Sequence, residues 1–234
     1  MYITAHGLYE ARLNGQPVTD ALFTPGWTTY GERLQYQVYD VTALLQDGDN
    51  ALGVLLGDGW FRGRSGWEGN HNFYGDKLGL LSELHIHYAN GEREIIASDD
   101  SWRTSAGPIR ASDIYDGEAY DARLEQPGWD APAFDDSPWA KVLPLDAPKA
   151  TLIGSVAPPV RRQEELSPVS ITAQPDGTTI VDFGQLLTGR VRQWLYRPVA
   201  LPASGSTGWW PGWRLTRPSP ATNIRSSAPS PAAE

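Results

Sequence analysis

The run Asp58-Gly59-Trp60-Phe61-Arg62-Gly63 sets an acid, a base and an indole between glycines. Residues of these types at this spacing suit a small polyol. Trp60 can stack on the apolar face of a sugar ring while Asp58 and Arg62 hydrogen-bond its hydroxyls. The competing account makes Trp60 a core anchor, the glycines the makers of a tight turn, and Asp58 and Arg62 each other's partners. It is the favoured one, because buried tryptophan is common. A second group, Asp113, Asp116, Glu118 and Asp121, gathers four carboxylates within nine positions. Calcium takes several oxygen ligands, and sugar hydroxyls can join that shell. Strand alternation sends Asp116 and Glu118 to one face and Asp113 and Asp121 to the other, so Asp116 and Glu118 are the candidate calcium ligands. The spacing is not that of an EF-hand, and turn capping or pairing with Arg110 and Arg123 is favoured. The same acids could also be drawn as the acid and base of a glycosidase, where carboxylate separation is the strict demand.

Other chemistry-bearing residues weigh less. His85 and His87 share a strand face, but no third ligand stands near them in sequence. The cluster Trp209-Trp210-Pro211-Gly212-Trp213 lies in a stretch without periodicity and reads as accidental. Trp129-Asp130 and Phe134-Asp135-Asp136-Ser137-Pro138-Trp139 read as a closing corner, with Trp139 inward and aspartates capping turns. No phosphate loop, nucleophile elbow or zinc helix is present.

The elements that must position these groups are strands. Asn14-Gly15 and Asn90-Gly91 each follow an apolar run and predict type I′ hairpin turns, whose central residues need positive φ. Leu84, Ile86 and Tyr88 alternate with His85 and His87, the period of a half-buried antiparallel strand. Further strands are predicted at 35–41, 51–56, 94–97 and 114–120, with one helical turn near Thr42 capped by Asp40 or Thr42 itself. Many short strands with little helix predict an all-β antiparallel jelly roll or β-sandwich over 1–146. A proline-rich linker or crossover follows. The segment 147–194 adds a partial second β-module, with the turn Pro175-Asp176-Gly177, too small to bury its own core. From 195 to 234 Pro, Ser, Ala, Arg, Gly and Trp dominate, and an irregular, unstructured tail is expected.

Composition excludes some functions. The chain has 234 residues, no cysteine and a net charge of −9, which argues against a general nucleic-acid binder and against disulfide or thiolate-metal chemistry. No apolar run approaches the roughly 18–20 residues that span a bilayer. No secretory signal is visible at Met1-Tyr2-Ile3-Thr4-Ala5-His6, so a cytoplasmic location is expected. The charge is uneven. Residues 190–234 carry six basic side chains and one acid, and Gln185–Ala233 has no Asp or Glu, which marks a boundary.

Several signatures, in order, resemble the N-terminal domain of bacterial α-L-rhamnosidases. They are Gly7-Leu8-Tyr9-Glu10-Ala11-Arg12-Leu13-Asn14-Gly15, Pro25-Gly26-Trp27-Thr28, Gln35-Tyr36-Gln37-Val38-Tyr39-Asp40-Val41-Thr42, and Leu56-Gly57-Asp58-Gly59-Trp60-Phe61-Arg62-Gly63. Asp113–Arg123, Pro127-Gly128-Trp129 and Phe134–Trp139 follow. A second match, Pro158–Gln185, resembles the opening of the next β-sandwich module. The resemblance implies a galactose-binding-like fold, rhamnose-containing glycosides as partners, and a parent enzyme that removes terminal α-L-rhamnose by an inverting mechanism. It places the catalytic acids in a helical barrel further downstream, so no catalytic residue is expected here. No cofactor is required, and calcium stays possible only on the residue types of Asp116 and Glu118. It also implies that a strand normally precedes Tyr2, and that resemblance ends near Arg192. Thr222-Asn223-Ile224-Arg225 is similar to a later family motif, which suggests a shifted reading frame. Three functions remain open: a carbohydrate-binding or scaffolding fragment, a self-sufficient glycosidase using the Asp113–Asp121 acids, and a relic of a disrupted gene.

Overall fold

In the computed structural model of the chain, the described residues are 1–66, 69–146 and 151–189, together with the backbone of 222–228. The chain opens with β1 (Tyr2–His6), β2 (Leu8–Leu13), β3 (Gln16–Pro17), β4 (Arg33–Val38) and β5 (Asn50–Gly57). A one-turn helix α1 (Gly59–Arg62) leads to β6 (Gly79–His87), β7 (Arg93–Ala97), β8 (Arg103–Ala106), β9 (Ile109–Asp113) and β10 (Gly117–Tyr120). The remainder are β11 (Ala140–Lys141), β12 (Thr151–Gly154), β13 (Ser170–Ala173), β14 (Thr179–Asp182) and β15 (Thr222–Ala228).

Two sheets make a β-sandwich. One runs β12-β4-β1-β6-β7 and the other β11-β8-β15-β5-β2-β3. Period-two alternation supplies the core between them. Ile3 and Ala5 of β1, Tyr9, Ala11 and Leu13 of β2, and Leu52, Val54 and Leu56 of β5 are all buried, with Met1, Leu84 and Trp102 packed among them. Each Leu, Ile, Val or Met among them contributes about 1.5–3 kcal/mol on burial, so this interior is the main source of stability.

The Asn14-Gly15 turn joins β2 to β3 with φ of 52° and 79°, the geometry a type I′ turn needs. The Asn90-Gly91 turn departs from expectation. Only Gly91 has positive φ, and the β6–β7 hairpin closes through Tyr88 N–H to Glu92 O with Asn90 Oδ1 accepting from Glu92 N–H. The Asn90 side chain bonds forward along the chain, which a turn built on its own backbone does not need. The strand predicted over 114–120 is also corrected. Ile114-Tyr115-Asp116 form the turn of the β9–β10 hairpin, and only Gly117–Tyr120 is strand. Near Thr42 the turn is a 3-10 helix, and Asp40 Oδ1 accepts from both Thr42 N and Oγ1.

The proline-rich crossover holds one strand. β12 pairs parallel to β4, from Thr151 opposite Arg33 to Gly154 opposite Tyr36. A further bridge joins Leu22 and Val160, so the first compact unit reaches Arg161 and also includes β15. The second unit, Arg162–Trp213, contains the β13–β14 hairpin, whose Ile171 and Ile180 are exposed. The tail expected to lack structure from residue 195 holds the strand β15. It runs through the longest proline- and glycine-free stretch after Pro198 and stops before Pro229, which has no N–H to pair. The rest of that tail, with Trp209, Trp210 and Trp213, lies outside the described residues.

Candidate functional site

β5 ends at Gly57 and the chain turns at once into α1, which fixes Asp58, Trp60 and Arg62 at one end of the sandwich. Asp58 is 3% exposed. Its Oδ1 accepts from Arg62 Nε at 2.5 Å, so acid and base do pair with each other. Burial pushes the Asp58 carboxyl above the ordinary carboxylate range. Arg62 pulls it back, and the nearby Asp113 charge adds to the upward push.

Trp60 is only partly a core anchor. It packs on a small second core of Tyr30, Leu34 and Phe61, and one of its faces meets Trp27, with ring centroids 6.0 Å apart and planes within 3°. Phe23 stands beside it at 6.0 Å. Trp27 is 55% exposed and Phe23 43%. The loop carrying both is tied to the sheets. Thr24 Oγ1 donates to Tyr9 O at 2.7 Å, Gln37 Nε2 donates to Pro25 O at 3.0 Å, and Tyr30 donates from its hydroxyl to Gly26 O at 3.1 Å. Beneath α1, Phe61 stacks on His6 at 4.5 Å and meets Tyr30 edge-on at 5.2 Å. Burial lowers the His6 pKa. The result is an anchored aromatic platform of three rings, with Trp27 and Phe23 exposed over a half-buried Trp60.

Next to the Asp58–Arg62 pair lies a wider charged network. Asp113, at the end of β9, accepts from the N–H of Arg64 at 2.6 Å, of Tyr115 at 2.7 Å and of Asp116 at 2.9 Å. Burial pushes its carboxyl up, but these three donors outweigh burial and hold it below the usual range. The approach is so close that a Cβ on Gly63 would sit 2.7 Å from Asp113 Oδ2 and 2.3 Å from Gly59 O. Only glycine fits there. Arg64 Nε lies 2.8 Å from Asp116 Oδ1 as an ion pair whose N–H is not aimed at the oxygen, and its guanidinium sits 5.3 Å from the Tyr115 ring centre. His71 Nε2 is 3.8 Å from the other Asp116 oxygen.

Among the described residues, His71, Asp113 and Asp116 are the group whose ligand atoms converge, all within 4.8 Å of one another. Glu118 is not in it. The hairpin turn, rather than strand alternation, brings Asp113 and Asp116 together. The convergent set does not make a calcium shell as it stands. Calcium takes about six to eight oxygens. Here two carboxylates are already engaged by three main-chain N–H groups and by Arg64, which supplies the positive charge itself. Asp121 lies just past the hairpin, capping the 3-10 turn Ala122–Leu124, paired with Arg123 at 2.6 Å and held down to about 2 chiefly by that partner. His85 bonds Glu83 at 2.8 Å. At the predicted closing corner Trp139 is buried and donates to Gln126 Oε1 at 2.8 Å, while Asp135 caps the Ser137 N–H.

Sequence reasoning did not single out Trp27, Phe23, Arg64 or His71 as site residues. Trp27 had a local signal, an indole straight after Pro25-Gly26 where a turn exposes it. Arg64 and His71 had none, since they reach Asp116 only through the tertiary fold.

Two facing sheets, antiparallel but for the β12–β4 pair, with aromatic and charged groups collected on the loops of one end, define a β-sandwich module. The chain belongs to the α-L-rhamnosidase N-terminal domain family, whose model matches residues 1–164. An α-L-rhamnosidase of Streptomyces avermitilis is 43% identical over 194 residues, covering 82% of this chain and 19% of that protein. Another, from Alteromonas sp., is 38% identical over 193 residues, covering 81% and 21%. The solved α-L-rhamnosidase of Aspergillus terreus superposes with a TM-score of 0.76 at 49% identity, covering 79% of this chain and 21% of that one. The S. avermitilis enzyme complexed with L-rhamnose superposes with a TM-score of 0.76 at 42% identity, covering 79% and 18%. The chain thus spans about a fifth of the length of the curated relatives it matches.

Proposed function

We propose that this chain is a carbohydrate-holding module of an α-L-rhamnosidase, taking rhamnose-containing glycosides at the Trp27–Trp60 platform without cleaving them. The observation that carries this reading is the anchored pair of parallel indoles, Trp27 exposed and Trp60 half-buried, in the loop and turn next to the buried Asp58–Arg62 pair. A deoxysugar has a C–H face that suits stacking on an exposed indole. A solved relative complexed with L-rhamnose supports the choice of sugar.

Hydrolysis of terminal α-L-rhamnose belongs to the longer parent enzyme. The alternative, a self-sufficient glycosidase using the Asp113–Asp121 acids, needs one carboxyl with a raised pKa as the proton donor. Asp113 and Asp121 are both held down, by main-chain N–H groups and by Arg123.

Titration calorimetry with L-rhamnose tests the binding. Trp27→Ala and Trp60→Ala are each expected to weaken it about tenfold, the cost of losing an aromatic anchor. Trp27→Ala, at an exposed position, is expected to leave stability within about 0.5 kcal/mol. Unchanged affinity in both variants would sink the assignment of the platform. Titrations in calcium and in EDTA should agree, because Asp113 is already taken up by three main-chain N–H groups and Asp116 is paired with Arg64. In a nitrophenyl-rhamnoside assay the purified chain should release no product.

A further inference from the structure

The six-stranded sheet contains a join that the chain order does not lead one to expect. β5 and β8 do not pair with each other. β15 lies between them and is antiparallel to both. Thr222–Ala228 stand opposite Leu56–Asn50, and Thr222–Arg225 also stand opposite Ala106–Arg103. β5 is the most buried strand of the sandwich, with Ala51 and Val54 fully buried and Leu52 and Leu56 nearly so. Without β15, the main-chain N–H and C=O groups on one side of β5 and one side of β8 would face no strand.

The occupant suits such a place by its backbone chemistry. Pro220 and Pro229 bracket a stretch free of proline and glycine, so every residue of Thr222–Ala228 has an N–H to donate. Thr222, Ile224 and Ser226 fall opposite the core-facing Leu56, Val54 and Leu52. The stretch carries no acid and one base, so it brings little charge to the middle of a sheet.

We propose that the space between β5 and β8 is a strand-receiving slot for one extended peptide, and that Thr222–Ala228 is its occupant, a donor strand returned from the far end of the chain. The slot recognises the segment chiefly through main-chain hydrogen bonds, as in strand-addition complexes. The same segment supplied as a separate peptide therefore fits it equally well.

Hydrogen exchange on the full chain tests this directly. Amides of 222–228 are expected to be protected to the same degree as those of 50–56. Ile224→Pro removes a ladder donor from the middle of β15, so protection of β5 and β8 should fall at least about tenfold. A synthetic peptide spanning Thr222–Ala228 should restore it, and a scrambled peptide should not. Free exchange of 222–228 in the unmodified chain, with 50–56 still protected, overturns the proposal whether or not Ile224→Pro folds. Failure of the peptide to restore protection in a folded Ile224→Pro variant overturns it as well.

Discussion

Arg62→Ala is expected to destabilise the sandwich by about 3–5 kcal/mol at neutral pH, because it strands a buried carboxylate. Asp58 keeps 4% of its side chain exposed and Arg62 17%, so solvent does little to screen the pair. Arg62 is what opposes burial at Asp58. Without it the Asp58 pKa rises further above its unfolded value of about 3.9. The folded protein then holds a proton that the unfolded chain has released. Stability in the variant falls as pH rises through the folded Asp58 value, and the deficit is smallest in acid. Urea melts of both proteins at pH 5 and pH 7 check this. A gap below about 1 kcal/mol, or one that does not widen from pH 5 to pH 7, would show that the pair carries no buried charge.

Asp113→Ala acts on the other side of the same network with the opposite pH signature. It removes the acceptor of three main-chain N–H groups, those of Arg64, Tyr115 and Asp116. Leaving such donors unmet costs about 1–3 kcal/mol each, less whatever water recovers, so a loss of about 3 kcal/mol is expected. Asp113 has a depressed pKa in the fold. Its contribution is present above the unfolded value of about 3.9 and disappears as pH falls through the folded one. The difference between wild type and Asp113→Ala should therefore shrink on acidification. Asp113→Asn keeps one oxygen acceptor and should lose less. Thermal melts across pH 3–7 decide the matter, and a loss below about 1 kcal/mol for the alanine variant would rule out Asp113 as the organiser of the Arg64 turn.

These two variants separate the parts of the site. The Trp27–Trp60 platform is anchored through Thr24, Gln37 and Tyr30, independently of Asp113. If Asp113→Ala abolishes sugar binding while the melt shows a folded protein, the Arg64–Asp116 rim takes part in recognition. If binding survives, the indoles carry it.

Much of the sandwich could be read along the chain, because alternation is a local property. Leu84 and Ile86 against His85 and His87, or Leu52, Val54 and Leu56 within β5, show which side of a strand faces the core before any partner is known. Asn14-Gly15 was legible for the same reason, since its turn needs only its own two residues. Asn90-Gly91 misled because the same two letters also serve a turn in which the asparagine side chain bonds onward, and the choice depends on Glu92.

The pairing of Asp58 with Arg62 was also open to view in the sequence, although the helical turn that sets the two side chains one above the other was not. What the chain order could not reveal are contacts between distant segments. Asp113 meets the Arg64 N–H, Trp27 meets Trp60, and β15 enters between strands from far earlier in the chain. Local spacing determines which face a residue takes and which turns close. The long-range choices depend on which buried donors and acceptors remain to be satisfied once the sheets have formed, and that demand exists only in the folded molecule.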